Sequence, residues 1–409
     1  MSTLPVTWLE TSLGTVTPYG TTFKAEIEEI MPDTWVLELE DIEKDTTKVL
    51  QRLTFAERQS KSTKNRFEAG DVLYGKLRPY LNKVTFADRS GVCSTEIVPI
   101  KPNEVVNGRY LFHWLRHPQF LSYVTEVSHG VNMPRLGTEA GRQAPFVLAP
   151  LNEQKCIADK LDTVLTRVDA VNARLARVAP ILKRFRQSVL AAATSGRLTE
   201  DWRGAHDVKQ LIWQELTIGT IASDLRYGTS KKCDYSETGT GVLRIPNIAE
   251  NGNIDLSDLK RADFDQVELQ KLSLRAGDIL VIRSNGSVDL VGKVGVVDST
   301  QEGLLFAGYL MRLRVNESMV LPRFAYISLT APQQRVRIEQ TAKSTSGVNN
   351  INSEELRGLP ISLPPLDEQA EIVRRVETLF AFADRLEARL KAAQTATERL
   401  TPALLAKAF

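Results

Sequence analysis

Six cations fall within residues 61–83: Lys61, Lys64, Arg66, Lys76, Arg78 and Lys83, with Tyr74 and Tyr80 set between them. Phosphate oxygens are met by Lys and Arg charge, and base edges by the planar fork of arginine or by an amide. The stretch is the first candidate for nucleic-acid contact, and Pro79 stiffens the loop that presents Arg78; a solvated turn between two strands is the competing reading. A second set stands in three short runs, Arg226-Tyr227-Gly228-Thr229-Ser230-Lys231-Lys232, Arg283-Ser284-Asn285-Gly286-Ser287 and Lys343-Ser-Thr-Ser346. Glycine and small hydroxyl residues allow close backbone approach to phosphate, while Arg283 and Asn285 can reach base edges. None has the lysine spacing of a phosphate-binding P-loop. Asn132, and Asn349 with Asn350, follow repeated Gly-Val pairs; their amides either read adenine or cap loops.

Catalytic chemistry finds less footing. A methyltransferase needs a glycine-rich cofactor loop and an Asn-Pro-Pro-aromatic motif, and neither stands in the sequence; Gly239-Thr-Gly241 and Gly292-Lys-Val-Gly295 are too short. No carboxylate run ending in lysine marks a metal nuclease. His113 and His117 sit four apart and could share a helical face as metal ligands, but Phe112 and Trp114 favour aromatic packing instead. Cys93, Cys156 and Cys233 lie too far apart for a disulfide framework or zinc cluster and fit a reducing cytoplasm. No metal or cofactor is expected in this chain.

The net charge of +2 argues against a polyanionic partner until its distribution is read. Phe23–Gln51 holds nine acidic and three basic residues, a net of −6, and Arg52–Ser90 holds nine basic and four acidic, a net of +5. Such sorting predicts a basic face.

The elements that must carry these residues come in two copies. Trp8-Leu-Glu-Thr-Ser-Leu-Gly-Thr-Val16 recurs as Trp213-Gln-Glu-Leu-Thr-Ile-Gly-Thr-Ile221. Ala69-Gly-Asp-Val-Leu73 recurs as Ala276-Gly-Asp-Ile-Leu280, Gly130-Val-Asn132 as Gly347-Val-Asn349, and Ala149-Pro-Leu-Asn-Glu-Gln154 as Pro364-Pro-Leu-Asp-Glu-Gln369. Gly70-Asp71 and Gly277-Asp278 read as turns before buried strands. Each copy opens with short β-branched runs cut by Gly, Pro, Asn and Asp, which predicts α+β domains over 1–150 and 206–364. Each then turns helical, over 151–205 and 365–409, with Asn152 or Asp367 as the expected cap. Apolar residues alternate by threes and fours through Leu161, Val164, Val168, Val171, Leu175, Val178, Leu182, Phe185 and Val189. The second copy keeps the spacing through Val376, Leu379, Ala383, Leu386, Leu390, Ala393, Thr397, Leu400 and Leu404. This is a coiled-coil seam, and the expected partner of each helix is the other copy, giving an antiparallel pair with pseudo-two-fold symmetry; a homodimeric zipper is the alternative. Pro180 and Pro402 should kink or restart their helices.

Length and composition agree with this plan. The 409 residues, 42% hydrophobic and 25% charged, suit several globular domains. No apolar run is long enough to span a membrane, and the first residues lack the pattern of a secretory signal, so a cytoplasmic location is expected.

The whole layout resembles the specificity subunit of Type I restriction–modification enzymes. The likeness rests on Pro150-Leu-Asn-Glu-Gln154 and Pro365-Leu-Asp-Glu-Gln369, each leading into a long heptad helix, and on Phe185-Arg-Gln-Ser-Val-Leu-Ala-Ala-Ala193 followed by Ser195-Gly-Arg-Leu198. Ser60-Lys-Ser-Thr-Lys64 and Gly75-Lys-Leu-Arg-Pro-Tyr-Leu-Asn-Lys83 look like one class of recognition domain. One departure is that the second copy stops at Phe409, short of a counterpart to Ser195-Gly-Arg-Leu198. The resemblance implies a non-catalytic reader of double-stranded DNA, each recognition domain taking half of a split target and the helices setting the spacing. It implies two modification subunits carrying S-adenosylmethionine and methylating adenine, with restriction subunits, ATP and Mg elsewhere in the assembly. A non-catalytic coiled-coil adaptor and a DNA-modifying enzyme with an unrecognised active site are the rival classes.

Overall fold

The computed structural model describes residues 4–206, 213–345 and 347–409, with the side chains of 343–345 outside the description. The chain forms two compact units whose division cuts across both long helical stretches. Residues up to Ala176 together with Lys391–Phe409 make the first unit, and Arg177–Leu390 the second. The segments expected from sequence mark changes of element type, whereas compactness follows packing, so each unit takes one mixed domain and part of each helical stretch.

In the first unit a five-stranded sheet runs in the order Phe23–Ala25, Lys64–Phe67, Gly91–Cys93, Trp35–Leu37, Leu53–Thr54, beside a three-stranded sheet centred on Val72–Gly75. Val72–Gly75 is buried along its length because its apolar side chains are covered on both faces. Helix α1 (Gly108–Trp114) buries Tyr110, Leu111 and Trp114 against this sheet's side of the core. The second unit holds a four-stranded sheet with Ile279–Ile282 near its middle, also buried throughout, and two three-stranded sheets. In both copies the turn before the buried strand is built alike. Gly70 and Gly277 take positive φ, and Asp71 and Asp278 each accept a backbone N–H from three residues earlier, at 2.8 Å.

The duplication extends to hydrogen bonds. Leu9–Ser12 pairs with Pro145–Leu148, and Gln214–Thr217 pairs with Pro360–Leu363, both antiparallel. Helices α2 (Leu151–Ala176) and α5 (Leu366–Ala408) then begin, with α3 (Val178–Thr194) following α2 and α4 (Pro322–Thr330) preceding α5 in the chain. The Gln154 amide, fully buried, accepts from Asn107 N and donates to the carbonyls of Val105 and Ala149. Gln369 repeats this with Leu321 N, Met319 O and Pro364 O, at 2.8–3.0 Å. The indoles of Trp8 and Trp213 donate to Glu153 and Glu368 at 2.9 and 3.1 Å. Asn152 and Asp367 stand in the first helical turn and not at the cap, because the carbonyls of Pro150 and Pro365 already accept the first helical N–H groups.

Within each unit the helical stretches run antiparallel. Leu161 and Leu165 of α2 meet Leu404 and Leu405 of α5 in the first unit. In the second, Val189 and Leu190 of α3 share a core with Ile372 and Val376, and Arg186 pairs with Asp384 and Glu387. The seam expected from sequence is correct at Leu161, Val168, Leu182, Val189, Val376, Ala383 and Leu390, all buried. It is wrong at Val164, Val171 and Leu400, which are exposed while Leu165 and Leu405 turn inward. At the first of these turns the larger Leu165 fills the interhelical gap in place of Val164. Pro180 sits in the first turn of α3, just after the break at Arg177, where a missing N–H costs nothing. Pro402 lies inside α5, which continues past it.

Candidate nucleic-acid interface

The sorted charges of the first unit do not make the basic face that the sequence predicts. The acidic and basic segments fold onto each other, with Phe23 in register with Arg66 and Ala25 with Lys64. Lys64 Nζ, buried, bonds Glu38 at 2.8 Å and Ser62 at 2.9 Å. Arg58 reaches Asp41 at 2.5 Å, Arg66 reaches Glu29 at 2.7 Å, and Arg52 takes both oxygens of Asp88. Lys83 donates to the Leu39 carbonyl at 2.8 Å, and burial lowers its pKa. Lys64 is thus corrected from a candidate contact to a structural cation, since a buried charge must be paired, and the half-buried Lys83 is committed to the Leu39 carbonyl. Arg66 is half committed, on an exposed ion pair. Tyr74 is buried in the core against Phe120 and reads no ligand.

What remains outward is a loop pair. Lys61, Arg78 and Tyr80 are exposed and Lys76 is half-buried. Arg78, at φ +50°, donates its backbone N–H to Pro134 O at 2.7 Å and its guanidinium to Asn132 O at 3.5 Å, while Leu77 bridges Arg135. The loop carrying Lys76 and Arg78 therefore lies against the loop carrying Asn132.

The second unit repeats this juxtaposition as a small sheet. Ser284–Asn285 pairs with Val348–Asn350, which pairs in turn with Lys343–Thr345. Asn285 stands opposite Asn349, whose amide donates to Gly286 O at 3.0 Å, and Ser287 is exposed beside them. The side chain of Lys343 and all of Ser346 lie outside the described residues.

Next to this sheet opens a cavity of about 690 Å³. Tyr227, Thr229, Ser230, Lys231 and Arg283, expected from sequence, all line it, together with Arg244, Lys260 and Tyr309, which sequence reasoning missed. No acidic residue lines it. The Arg283 guanidinium lies 4.5 Å from the Tyr227 ring centroid, Lys231 Nζ 4.9 Å from that of Phe264, and Lys260 Nζ 4.7 Å from that of Tyr235. Aromatic faces hold Arg283 and Lys260 without neutralising them, whereas Lys231 also pairs with Glu268 at 3.5 Å and Arg244 with Asp258 at 2.9 Å. Among the described residues Arg283 makes two long hydrogen bonds, to Asn350 and Gly308. The Lys260-Arg261 pair was the one available signal for this wall. Two expectations fail here. Arg226 is clamped to Asp224 at 2.5–2.9 Å, which also takes Arg312; burial raises the Asp224 pKa, but these two partners outweigh it and hold the carboxyl below its usual range. Gly228 is needed for protein packing and not phosphate approach, since a Cβ there would lie 2.2 Å from Phe306 O.

Elsewhere the histidines are structural. His117 stacks on Trp114 at 4.9 Å, and the buried His113 bonds Asp162 at 2.7 Å. Among the described residues no cluster of His, Cys, Asp and Glu could hold a metal, and no helix is long and apolar enough to cross a membrane.

A family model described as Type I restriction modification DNA specificity domain matches residues 10–179 and again 213–394. The chain is 35% identical over 311 residues to the Type I restriction enzyme EcoKI specificity subunit of Escherichia coli (strain K12), covering 76% of this chain. It is 35% identical over 310 residues to the StySPI specificity subunit of Salmonella potsdam. Both alignments span 66% of the relatives' own length. A chain from a structure of a type I restriction–modification system, described for its complex assembly and conformational transition, aligns over 100% of this chain and 99% of its own with TM-score 0.79 at 20% identity. The HsdS subunit from Thermoanaerobacter tengcongensis aligns over 99% of this chain and 97% of its own with TM-score 0.61, also at 20% identity. These two likenesses show the fold.

Proposed function

Because the chain belongs to the Type I restriction–modification DNA specificity family, we propose that it is the non-catalytic DNA-reading subunit of such a complex. Each of its two mixed domains takes one half of a split duplex target. The observation that carries this reading is the cleft of the second unit, where Lys260 and Arg283 stand against tyrosine rings with no ion pair among the described residues, beside Lys231 and Arg244, which are paired with Glu268 and Asp258. Uncompensated cations in a concave surface attract phosphate, and arginine and asparagine beside them supply base-edge contacts. The first unit offers Lys61, Lys76, Arg78, Tyr80 and Asn132 for the same task.

The partners are two modification subunits, which bring S-adenosylmethionine and the chemistry, and through them restriction subunits with ATP and magnesium. The helical stretches dock them and set the spacer between half-sites; the cytoplasm, where such DNA lies, is the location. In support, the helical stretches pack antiparallel within each unit, Leu161 and Leu165 with Leu405 in the first and Val189 and Leu190 with Ile372 and Val376 in the second. The test is methyl transfer and duplex binding, measured with the purified chain alone and after adding modification subunits. The expected result is no transfer by the chain alone and selective, salt-sensitive binding by the complex. Methyl transfer by the chain alone would overturn the reading.

A further inference from the structure

Two recognition domains that read different half-sites have no reason to present the same exposed residues, yet these two do. Gly130-Val131-Asn132 and Gly347-Val348-Asn349 are identical. They occupy the same place in each unit, against the loop after the buried strand: Arg78 touches Asn132, and Asn285 is paired with Asn349. Burial does not explain the identity. Val131 is 100% exposed and Val348 42%, and Asn132 is exposed beside its valine. The glycines, at φ +122° and +80°, are what aim each valine outward.

We propose that each Gly-Val-Asn turn reads one A·T base pair common to both half-sites, an inference that rests on the DNA-reading role above. An asparagine amide is the side chain that matches adenine N6 and N7 together, and an apolar side chain is what meets the thymine methyl. Valine and asparagine adjacent on one turn carry both halves of that recognition. The Asn349 amide retains its carbonyl oxygen and one N–H beyond the bond to Gly286, so it too can make the bidentate contact. Discrimination between the half-sites falls to the neighbouring loop, where the first unit has Arg78 and the second Asn285. Each unit thus pairs a shared reader with a variable one.

The experiment is selection of duplexes from a randomised library by the complex of this chain with its modification subunits. Both selected half-sites should contain an A·T pair at equivalent positions. Asn132→Ala should relax that position in one half-site alone and Asn349→Ala in the other, each by roughly 5- to 150-fold in discrimination. Replacing the contacted thymine with deoxyuridine, which removes only the methyl, should weaken the native complex and leave Val131→Ser indifferent. A selective native complex whose half-sites lack a shared A·T pair, or variants that lose affinity without relaxing that position, overturns this inference alone. A native complex that selects no duplex overturns the DNA-reading role and this inference with it.

Discussion

Arg78 and Lys61 illustrate how two residues of like charge in one stretch carry different duties. Arg78 is fixed by its own backbone at positive φ and by the loop of Asn132, which suits a directional contact. Arg78→Ala should cost roughly 1–3 kcal/mol in target binding and relax one half-site, whereas Lys61→Ala should weaken all duplexes alike and lower the salt slope by about one. Binding titrations at several salt concentrations separate the two. Lys64, which looked equivalent in the sequence, is buried on Glu38, and Lys64→Ala should unfold the first unit before it alters DNA preference. A run of cations reveals charge but not its partners, and those partners, Glu38, Glu29 and Leu39, stood 26 to 44 residues upstream. A second residue-scale prediction concerns Asp162. Burial pulls its carboxyl up, but hydrogen bonds from His113 and Arg109 and the Arg109 charge outweigh that, taking it from 3.8 to about 2. The folded pKa is depressed, so the stabilisation of roughly 2 kcal/mol is present above pH 4 and fades as pH falls through about 2. Asp162→Asn should be less stable than the native chain at neutral pH by about that amount, and urea titrations of the two should converge toward pH 2.

Gln154 and Gln369 act at the scale of the element. Each buried amide ties the start of a long helix to the loop before a domain helix, α1 in one copy and α4 in the other. Substituting leucine strands one donor and two acceptors of the buried backbone, so Gln154→Leu and Gln369→Leu should each cost about 3 kcal/mol. Hydrogen exchange should show the loss near Asn107 in the first case and near Leu321 in the second. Equal loss of protection in both units from one substitution would contradict the local anchoring. The repeated Pro-Leu-Asn/Asp-Glu-Gln marked these helix starts in the sequence, although it pointed to Asn152 and Asp367 as caps when the glutamine does the anchoring. The seam was legible to within a residue per turn, because periodicity gives the face while side-chain size chooses between Val164 and Leu165. The cleft of the second unit was half legible. Its Tyr227–Lys231 wall is contiguous in sequence, but Arg244 and Lys260 arrive on other strands, and no local pattern brings strands together.

Across the whole molecule, the first unit is discontinuous, closed by the end of α5. Phe409 lies in an aromatic cage, 4.9 Å from Tyr110, 5.2 Å from Trp114 and 5.4 Å from His117. Emptying the cage with Phe409→Ala should destabilise the first unit by roughly 3 kcal/mol, given the cost of large-to-small changes at well-packed aromatics. Calorimetry should show the lower-melting transition shift while the second unit's transition holds. That closure also has a consequence in time. The residues that form most of the first unit leave the ribosome early, but the segment that covers its aromatic cage is made only after all of the second unit. At 5–20 residues per second the interval is on the order of 10–50 s, during which Tyr110 and Trp114 lack their cover. The nascent protein therefore passes through a stage in which its later half is complete while its earlier half still waits, exposed to chaperones and proteases, for the last turn of one helix.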